Sequence, residues 1–304
     1  MINSGNGFDL GPAWRNKGGL KYAFAFISLF IMLLIIYANS FQGTWQFDDF
    51  PHIVDNRNVQ IRTLSWSELR QSLDSTFLHK LPRPVAYLSF AVNHFFGGLH
   101  VFGYHLINIA VHYLTALFLF LLIYKTLNLP LLKDRYGAVS YPVALLATFF
   151  WATSPVQVNA VTYIVQRMTS LVGLAYVAAM YCYVQGRTAR SSGARAAFLT
   201  LCALSAALAF GTKENAALLP VCLFLYDLLL LQGATRENLK KNLKVIAIPL
   251  LILLCLGVIY FAVWGNLRAI NYDHWTFTPV QRLLTEARVM IFYITLIIYP
   301  FSSR

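Results

Sequence analysis

Apolar residues along this chain gather into long blocks instead of alternating with polar ones. A helix needs about 20 residues to cross the hydrocarbon of a bilayer. Blocks near that length recur at 20–39, 102–124, 139–153, 168–185, 196–211, 216–233, 245–264 and 285–301. They predict an all-α polytopic membrane protein with about eight transmembrane helices, the third of them short. The first block exceeds the roughly 7–15 apolar residues of a signal-peptide core. It therefore reads as a retained helix, although "YANS" follows it.

The connection over 41–101 is the only long one, and it is expected to lie outside the cytoplasm. Within it, "LSWSELRQSLDSTF" carries a helix start. Ser65 can cap, Glu68 three residues later completes a capping box, and Leu64 with Leu69 can form a hydrophobic staple. Trp66, Leu69, Leu73 and Phe77 share one face, away from Arg70 and Asp74. That pattern predicts an amphipathic helix on the membrane surface, with an ordinary packed helix as the alternative. A second half-apolar connection, "SPVQVNAVTYIVQR" (154–167), has Pro155 placed to open a helix.

Composition sharpens this picture. The chain is 58% hydrophobic and only 12% charged, against about a quarter charged in soluble domains. Its net charge of +12 would suggest nucleic acid in a soluble protein, but here it follows the membrane topology. With residues 1–19 as a cytoplasmic tail, the basic residues fall in the cytoplasmic segments: Arg15, Lys17 and Lys21; Lys125, Lys133 and Arg135; Arg187, Arg190 and Arg195; Arg236, Lys240, Lys241 and Lys244. The short external segments hold few, such as Lys213, and the long external loop offsets Arg57, Arg62, Arg70, Lys80 and Arg83 with Asp48, Asp49, Asp55, Glu68 and Asp74. This is the positive-inside pattern, and it calls for no nucleic-acid partner. The four cysteines, Cys182, Cys202, Cys222 and Cys255, lie inside apolar blocks with no C-x-x-C spacing. They read as core residues, not as disulfides or zinc ligands.

On the opposite, non-cytoplasmic face this layout collects Asp48, Asp49, His52, Arg83, His105, Arg167, Lys213 and Glu214. Charges near membrane depth are costly and usually face a cavity or a partner. Carboxylates beside several cations suit a phosphorylated substrate carried on a lipid. Moving its sugar to a hydroxyl needs a base for the hydroxyl proton and cations for the departing phosphate. His105 and His112, seven residues apart on one helix, have no clear third partner for a metal and are expected to hydrogen-bond between helices.

Four ordered motifs carry a resemblance: "FDDFPHIVDNRNV"; "RPVAYLSFAVNHFFGGLHVFGYHLINIAVHYL"; "SPVQVNAVTYIVQR"; and "TKEN" followed by "LLP". Together they resemble the amino-terminal membrane part of the GT-C glycosyltransferases related to protein O-mannosyltransferases, and within them the tetratricopeptide-repeat-bearing group. The resemblance implies that 20–304 is a GT-C-like transmembrane catalytic domain, incomplete at its C-terminus. It implies a polyprenyl- or dolichyl-phosphate sugar donor, an acceptor hydroxyl on a protein or a glycan, and chemistry on the non-cytoplasmic face. Asp48 and Asp49 match the family's acidic pair, with Asp48 favoured as the base. Arg167 and Lys213 match basic positions suited to the lipid phosphate. Glu214 is expected to pair with Lys213 or orient it. Arg83 either contacts the phosphate or braces the acidic loop, and His52 and His105 support the site.

No metal or other cofactor is called for by the monophosphate-donor branch. Ser154 departs from the family's histidine before Pro155, which bears on activity or selectivity. A bacterial inner membrane is expected ahead of the endoplasmic reticulum. A lipid-linked-sugar flippase and an inactive membrane scaffold share part of the pattern, but the charges gather at one face and no internal repeat is present, unlike many transporters.

Overall fold

The first apolar block folds as α1 (Gly18–Tyr37), apolar on all sides, and runs into a 3₁₀ turn at Ala38–Gln42. A helix of that kind needs lipid or protein around its whole circumference. The computed structural model describes residues 18–73, 83–243 and 277–300. Among the described residues there are helices and turns but no strand. Five stretches are long and apolar enough to cross a membrane: Gly19–Gln42, Val101–Leu127, Ile164–Thr188, Ser192–Phe210 and Glu214–Gln232. A bent pair, Pro130–Thr153 with Pro155–Thr162, makes a sixth if counted as one span. The chain is an all-α polytopic membrane protein.

The chain divides into two compact units. The first takes in the described residues up to Lys125, Val139–Thr153 and Gln157–Ala217. Its helices are α1, α2 (Trp66–Leu73), α3 (Pro84–Gly97), most of α4 (Val101–Leu127), α6 (Ser140–Thr153), α7 (Val158–Thr162), α8 (Arg167–Thr188) and α9 (Ser192–Phe210). Leu33 and Tyr37 of α1 pack with Ile109 and Ala116 of α4 and Ala152 of α6. Small residues let α8 and α9 approach closely, as is common between membrane helices. A side chain on Gly186 would meet Leu199 at 2.9 Å. A further cluster joins Ile53, Val59 and Ile61 of the long connection to Tyr87 and Phe90 of α3, Tyr104 of α4 and Ile164. The candidate site stands on this cluster.

The second unit holds Thr126–Ala138, Ser154–Val156 and the described residues from Leu218 onward. It contains α5 (Pro130–Tyr136), α10 (Leu219–Tyr226) with the π turn Asp227–Gln232 that extends it, and α11 (Pro279–Ile298). Thr126 hydroxyl bonds Tyr226 hydroxyl, and Asn242 donates to Gln232 at 2.8 Å. Thr278 and Gln281 form a full capping box at the start of α11.

Several expectations change. The 139–153 block yields only the 14 residues of α6, too few to span alone. The 285–301 block begins earlier, at Pro279, and Arg282, Glu286 and Arg288 keep α11 from reading as an apolar span. The predicted span 245–264 lies outside the described residues, as do Arg15, Lys17, Asp74, Phe77, Lys80, Lys244 and Cys255. The helix α3 was not expected. It is apolar but too short to span, so it buries Ala86, Tyr87, Phe90 and Ala91 inside the unit and ends at Gly98, whose φ of +57° suits glycine.

Over the 64–77 stretch the structure describes α2 (Trp66–Leu73). Leu69 packs on the cluster beneath the site and Ser72 is buried, while Trp66 is 73% exposed. The capping box there is half formed. Glu68 N–H donates to Ser65 hydroxyl at 3.4 Å. The Glu68 carboxylate reaches past Ser65 to the amides of Arg62 and Thr63, at 2.6 and 3.0 Å.

Candidate active site

The acidic pair sits in a tight turn over residues 46–49. Asp49 N–H donates to Gln46 carbonyl at 2.8 Å. The Asp49 side chain closes the same turn by accepting Gln46 N–H at 2.9 Å. Its other oxygen accepts Val165 N–H at 2.7 Å. Asp49 is 1% exposed. Burial pushes its carboxyl above the usual range, the two amides pull it back, and neighbouring Asp48 adds to the rise. Asp48 is its opposite. It is exposed, and its carboxylate has no hydrogen bond or ion pair among the described residues. Its backbone is held at both ends: the N–H donates to Tyr163 hydroxyl at 2.8 Å and the carbonyl accepts His52 N–H at 3.2 Å.

The segment that grips this turn, residues 163–165, is itself fixed from beneath. Asn108 of α4 donates to the carbonyls of Val161 and Ile164 at 3.2 and 3.3 Å. Two residues beyond Val165, Arg167 is fully buried. Its guanidinium donates to Asn108 Oδ1 (2.7 Å), Asn93 Oδ1 (2.8 Å), Tyr104 carbonyl (2.9 Å) and Ser89 carbonyl (3.2 Å). It also lies over the rings of Phe90 and Tyr104, 4.9 and 5.3 Å from their centroids. That placement departs from a phosphate-binding role. With no exposed surface and four neutral acceptors filled, Arg167 ties α3 and α4 to the start of α8.

The remaining cations gather at the first turn of α8. Val85 N–H donates to Gly211 carbonyl at 2.9 Å, docking the start of α3 on the end of α9. A side chain on Gly211 would meet Val85 at 2.7 Å, so only glycine permits that approach. The docking brings Arg83 to Glu214: Arg83 Nη2 donates to both Glu214 carboxylate oxygens at 2.8 and 2.9 Å, and Arg83 Nε donates to one of them at 3.2 Å. Glu214 thus pairs with Arg83, where Lys213 had been expected. Lys213 Nζ donates to Thr169 hydroxyl at 2.7 Å, and Thr169 hydroxyl donates to Gln166 at 2.5 Å. An ammonium has three donors, so two remain for an anion. Burial, then the nearby Arg83 charge, holds Lys213 below the ordinary lysine range, with Glu214 opposing.

An apolar groove of about 280 Å³ lies in the same unit, lined by Val85, Leu114, Phe118, Leu171, Leu208 and Thr212 among others. Two of its lining residues are close to the cations in the chain: Val85 stands two residues from Arg83, and Thr212 stands next to Lys213. Residues 163–169 touch the acidic turn at one end and the cation cluster at the other.

The two supporting histidines differ. His52 shares a 2.7 Å hydrogen bond with Tyr87 hydroxyl, bracing the turn after the acidic pair. His105 is 2% exposed, and neither ring nitrogen has a hydrogen-bond partner among the described residues. A side chain on Gly43 would meet its Nε2 at 2.9 Å. His112 bonds Ala152 carbonyl at 3.0 Å, the interhelical contact expected of it. Ser154 is half-buried between α6 and the turn that follows. No three His, Cys, Asp or Glu side chains gather as metal ligands among the described residues.

Sequence reasoning passed over Tyr163, Thr169, Asn93 and Asn108. The two asparagines do leave a signal, because amides inside apolar helices need partners. Tyr163 leaves none.

No family model and no solved structure matches the chain. Curated proteins do. Protein O-mannosyl-transferase TMTC4 of Mus musculus is 28% identical over 193 residues, 58% of this chain and 24% of its own length. Protein O-mannosyl-transferase TMTC1 of Mus musculus is 32% identical over 184 residues, 58% of this chain and 18% of its own length. The chain is related to the protein O-mannosyl-transferases. Protein O-mannosyl-transferase TMTC2 of Homo sapiens adds 28% identity over 169 residues, 53% of this chain and 19% of its own length. The matched part is thus a quarter or less of each O-mannosyl-transferase relative.

Proposed function

We propose that this chain forms the donor and acceptor site of a GT-C-type membrane glycosyltransferase. In this reading it moves one sugar, mannose by likeness to its relatives, from a polyprenyl or dolichyl phosphate to a hydroxyl, chiefly Ser or Thr of a protein, on the non-cytoplasmic face. The observation that carries the reading is an apolar groove whose lining includes Val85 and Thr212, the chain neighbours of Arg83 and Lys213. Such a site fits a molecule with an isoprenoid tail and a phosphate head.

Lys213 receives the phosphate through its two unspent donors. Arg83 adds charge from its pair with Glu214, and the groove from Val85 to Leu208 takes the first units of the tail. Asp48 takes the proton from the acceptor hydroxyl as that oxygen bonds the anomeric carbon. The bond from that carbon to the phosphate oxygen breaks, and the electron pair leaves with the phosphate. Cations fixed before the reaction stabilise that leaving charge without reorganising. Asp49, with both oxygens committed to amides, holds the turn and not the proton.

The test is donor binding by the full-length protein in nanodiscs. A labelled polyprenyl-phosphate mannose should bind the wild type, and Lys213→Ala should weaken binding about 10-fold or more, as loss of a charge-assisted hydrogen bond does. The uncharged polyprenol should bind both proteins equally weakly. Equal donor binding by wild type and Lys213→Ala would remove the phosphate from this cluster.

A further inference from the structure

Among the described residues other than glycine, Phe47 alone has a positive φ, at +35°. In that left-handed region a side chain crowds the backbone, and an aromatic residue is a poor occupant. Burial within the chain does not offset the strain, because the Phe47 ring is 83% exposed. Such strain persists only where surrounding contacts over-determine the conformation. Asp49 supplies contacts at Gln46 and Val165. At Asp48 itself the one side chain that holds the backbone is Tyr163, whose hydroxyl accepts the Asp48 N–H at 2.8 Å.

Tyr163 is well placed to hold it. Asn108 fixes the carbonyl of Ile164 on one side and that of Val161 on the other. Burial raises the phenol, and the two carboxylates raise it further against the Asp48 amide's pull, so it stays protonated at neutral pH.

We propose that Tyr163 is a positioning residue for Asp48. Its hydroxyl pins the Asp48 amide, keeps the turn in its strained form, and thereby sets where the carboxylate meets the acceptor hydroxyl. The proposal rests on the reading of Asp48 as the base. Without the pin, Phe47 relaxes to a negative φ and the carboxylate moves. With glycine at 47 the strained form carries no steric penalty, so the turn should stand unpinned.

The experiment uses the full-length protein in nanodiscs, as wild type, Tyr163→Phe, Phe47→Gly and the double variant. Tyr163→Phe removes one oxygen from a half-buried ring, so the fold should survive. Two readouts are taken. The first is amide exchange at Asp49, whose N–H bonds Gln46 carbonyl within the turn and reports its shape whether or not sugar moves. The second is transfer kinetics across pH.

Tyr163→Phe should speed Asp49 exchange about tenfold or more, the mark of local opening. It should lower kcat about tenfold or more, with acceptor KM and the acid-limb midpoint unchanged, because misplacement costs rate and not binding. Phe47→Gly should stay near wild type. The double variant should regain slow exchange and most of the lost kcat, a coupling that independent sites do not show. Unchanged Asp49 exchange in Tyr163→Phe would overturn the proposal. So would slow exchange in the double variant without recovered kcat, which would have Tyr163 meeting the substrate directly. Wild type with no transfer but the expected exchange pattern would support the hold on Asp48 and overturn the reading of Asp48 as the base.

Discussion

Burial divides the work between two adjacent carboxylates. Asp49 gives one oxygen to Gln46 N–H and the other to Val165 N–H, so both its acceptors are spent on shape. In Asp49→Asn the new NH₂ must face one of those amides, setting donor against donor. An unsatisfied buried group costs about 1–3 kcal/mol. The expected outcome is a lower unfolding midpoint and faster proteolysis across residues 44–53, visible even without substrate. Lys213 makes a second prediction at this scale. Its ammonium titrates below the ordinary lysine range. A base with a depressed pKa loses its charge earlier as pH rises, so donor affinity should fall with rising pH while an exposed lysine is still charged. Lys213→Arg should move that decline to higher pH, because a guanidinium stays protonated there.

Among the elements, α3, α4 and the start of α8 are held by Arg167, which has no carboxylate partner among the described residues. Removing it by Arg167→Leu strands the buried side-chain acceptors of Asn108 and Asn93, each costing about 1–3 kcal/mol. The variant should be scarce in the membrane and melt early in detergent. Normal stability with lost donor affinity would restore Arg167 to the phosphate. The elements also show what could be read from the sequence. Long apolar blocks gave α1, α4, α8 and α9 near their true bounds, because lipid imposes one length on every span. The same length rule hid α3, whose 14 mostly apolar residues neither cross a membrane nor look like a loop. The charged site residues were legible because charge is rare in this chain. Their pairings were not. Glu214 sits next to Lys213 in sequence, yet it bonds Arg83, 131 residues away, because Gly211 admits Val85 and so sets the distance. Tyr163, one of 17 tyrosines, gains its meaning only when the 163–165 segment closes on the turn.

Across the whole molecule, apolar helices stand beside a small polar cluster, which in the proposed function match a lipid tail and a phosphate, sugar and hydroxyl respectively. In that proposal the exposed Asp48 takes the acceptor proton. The most direct measurement is sugar transfer by the full-length protein in nanodiscs, from labelled polyprenyl-phosphate mannose to a Ser/Thr-rich protein acceptor, comparing wild type with Asp48→Asn. Asparagine keeps the turn's size and the Tyr163 bond but cannot accept the proton. Transfer should fall by about 10²–10⁴, the usual worth of a general base, with donor binding intact. Transfer that survives in Asp48→Asn would contradict that role.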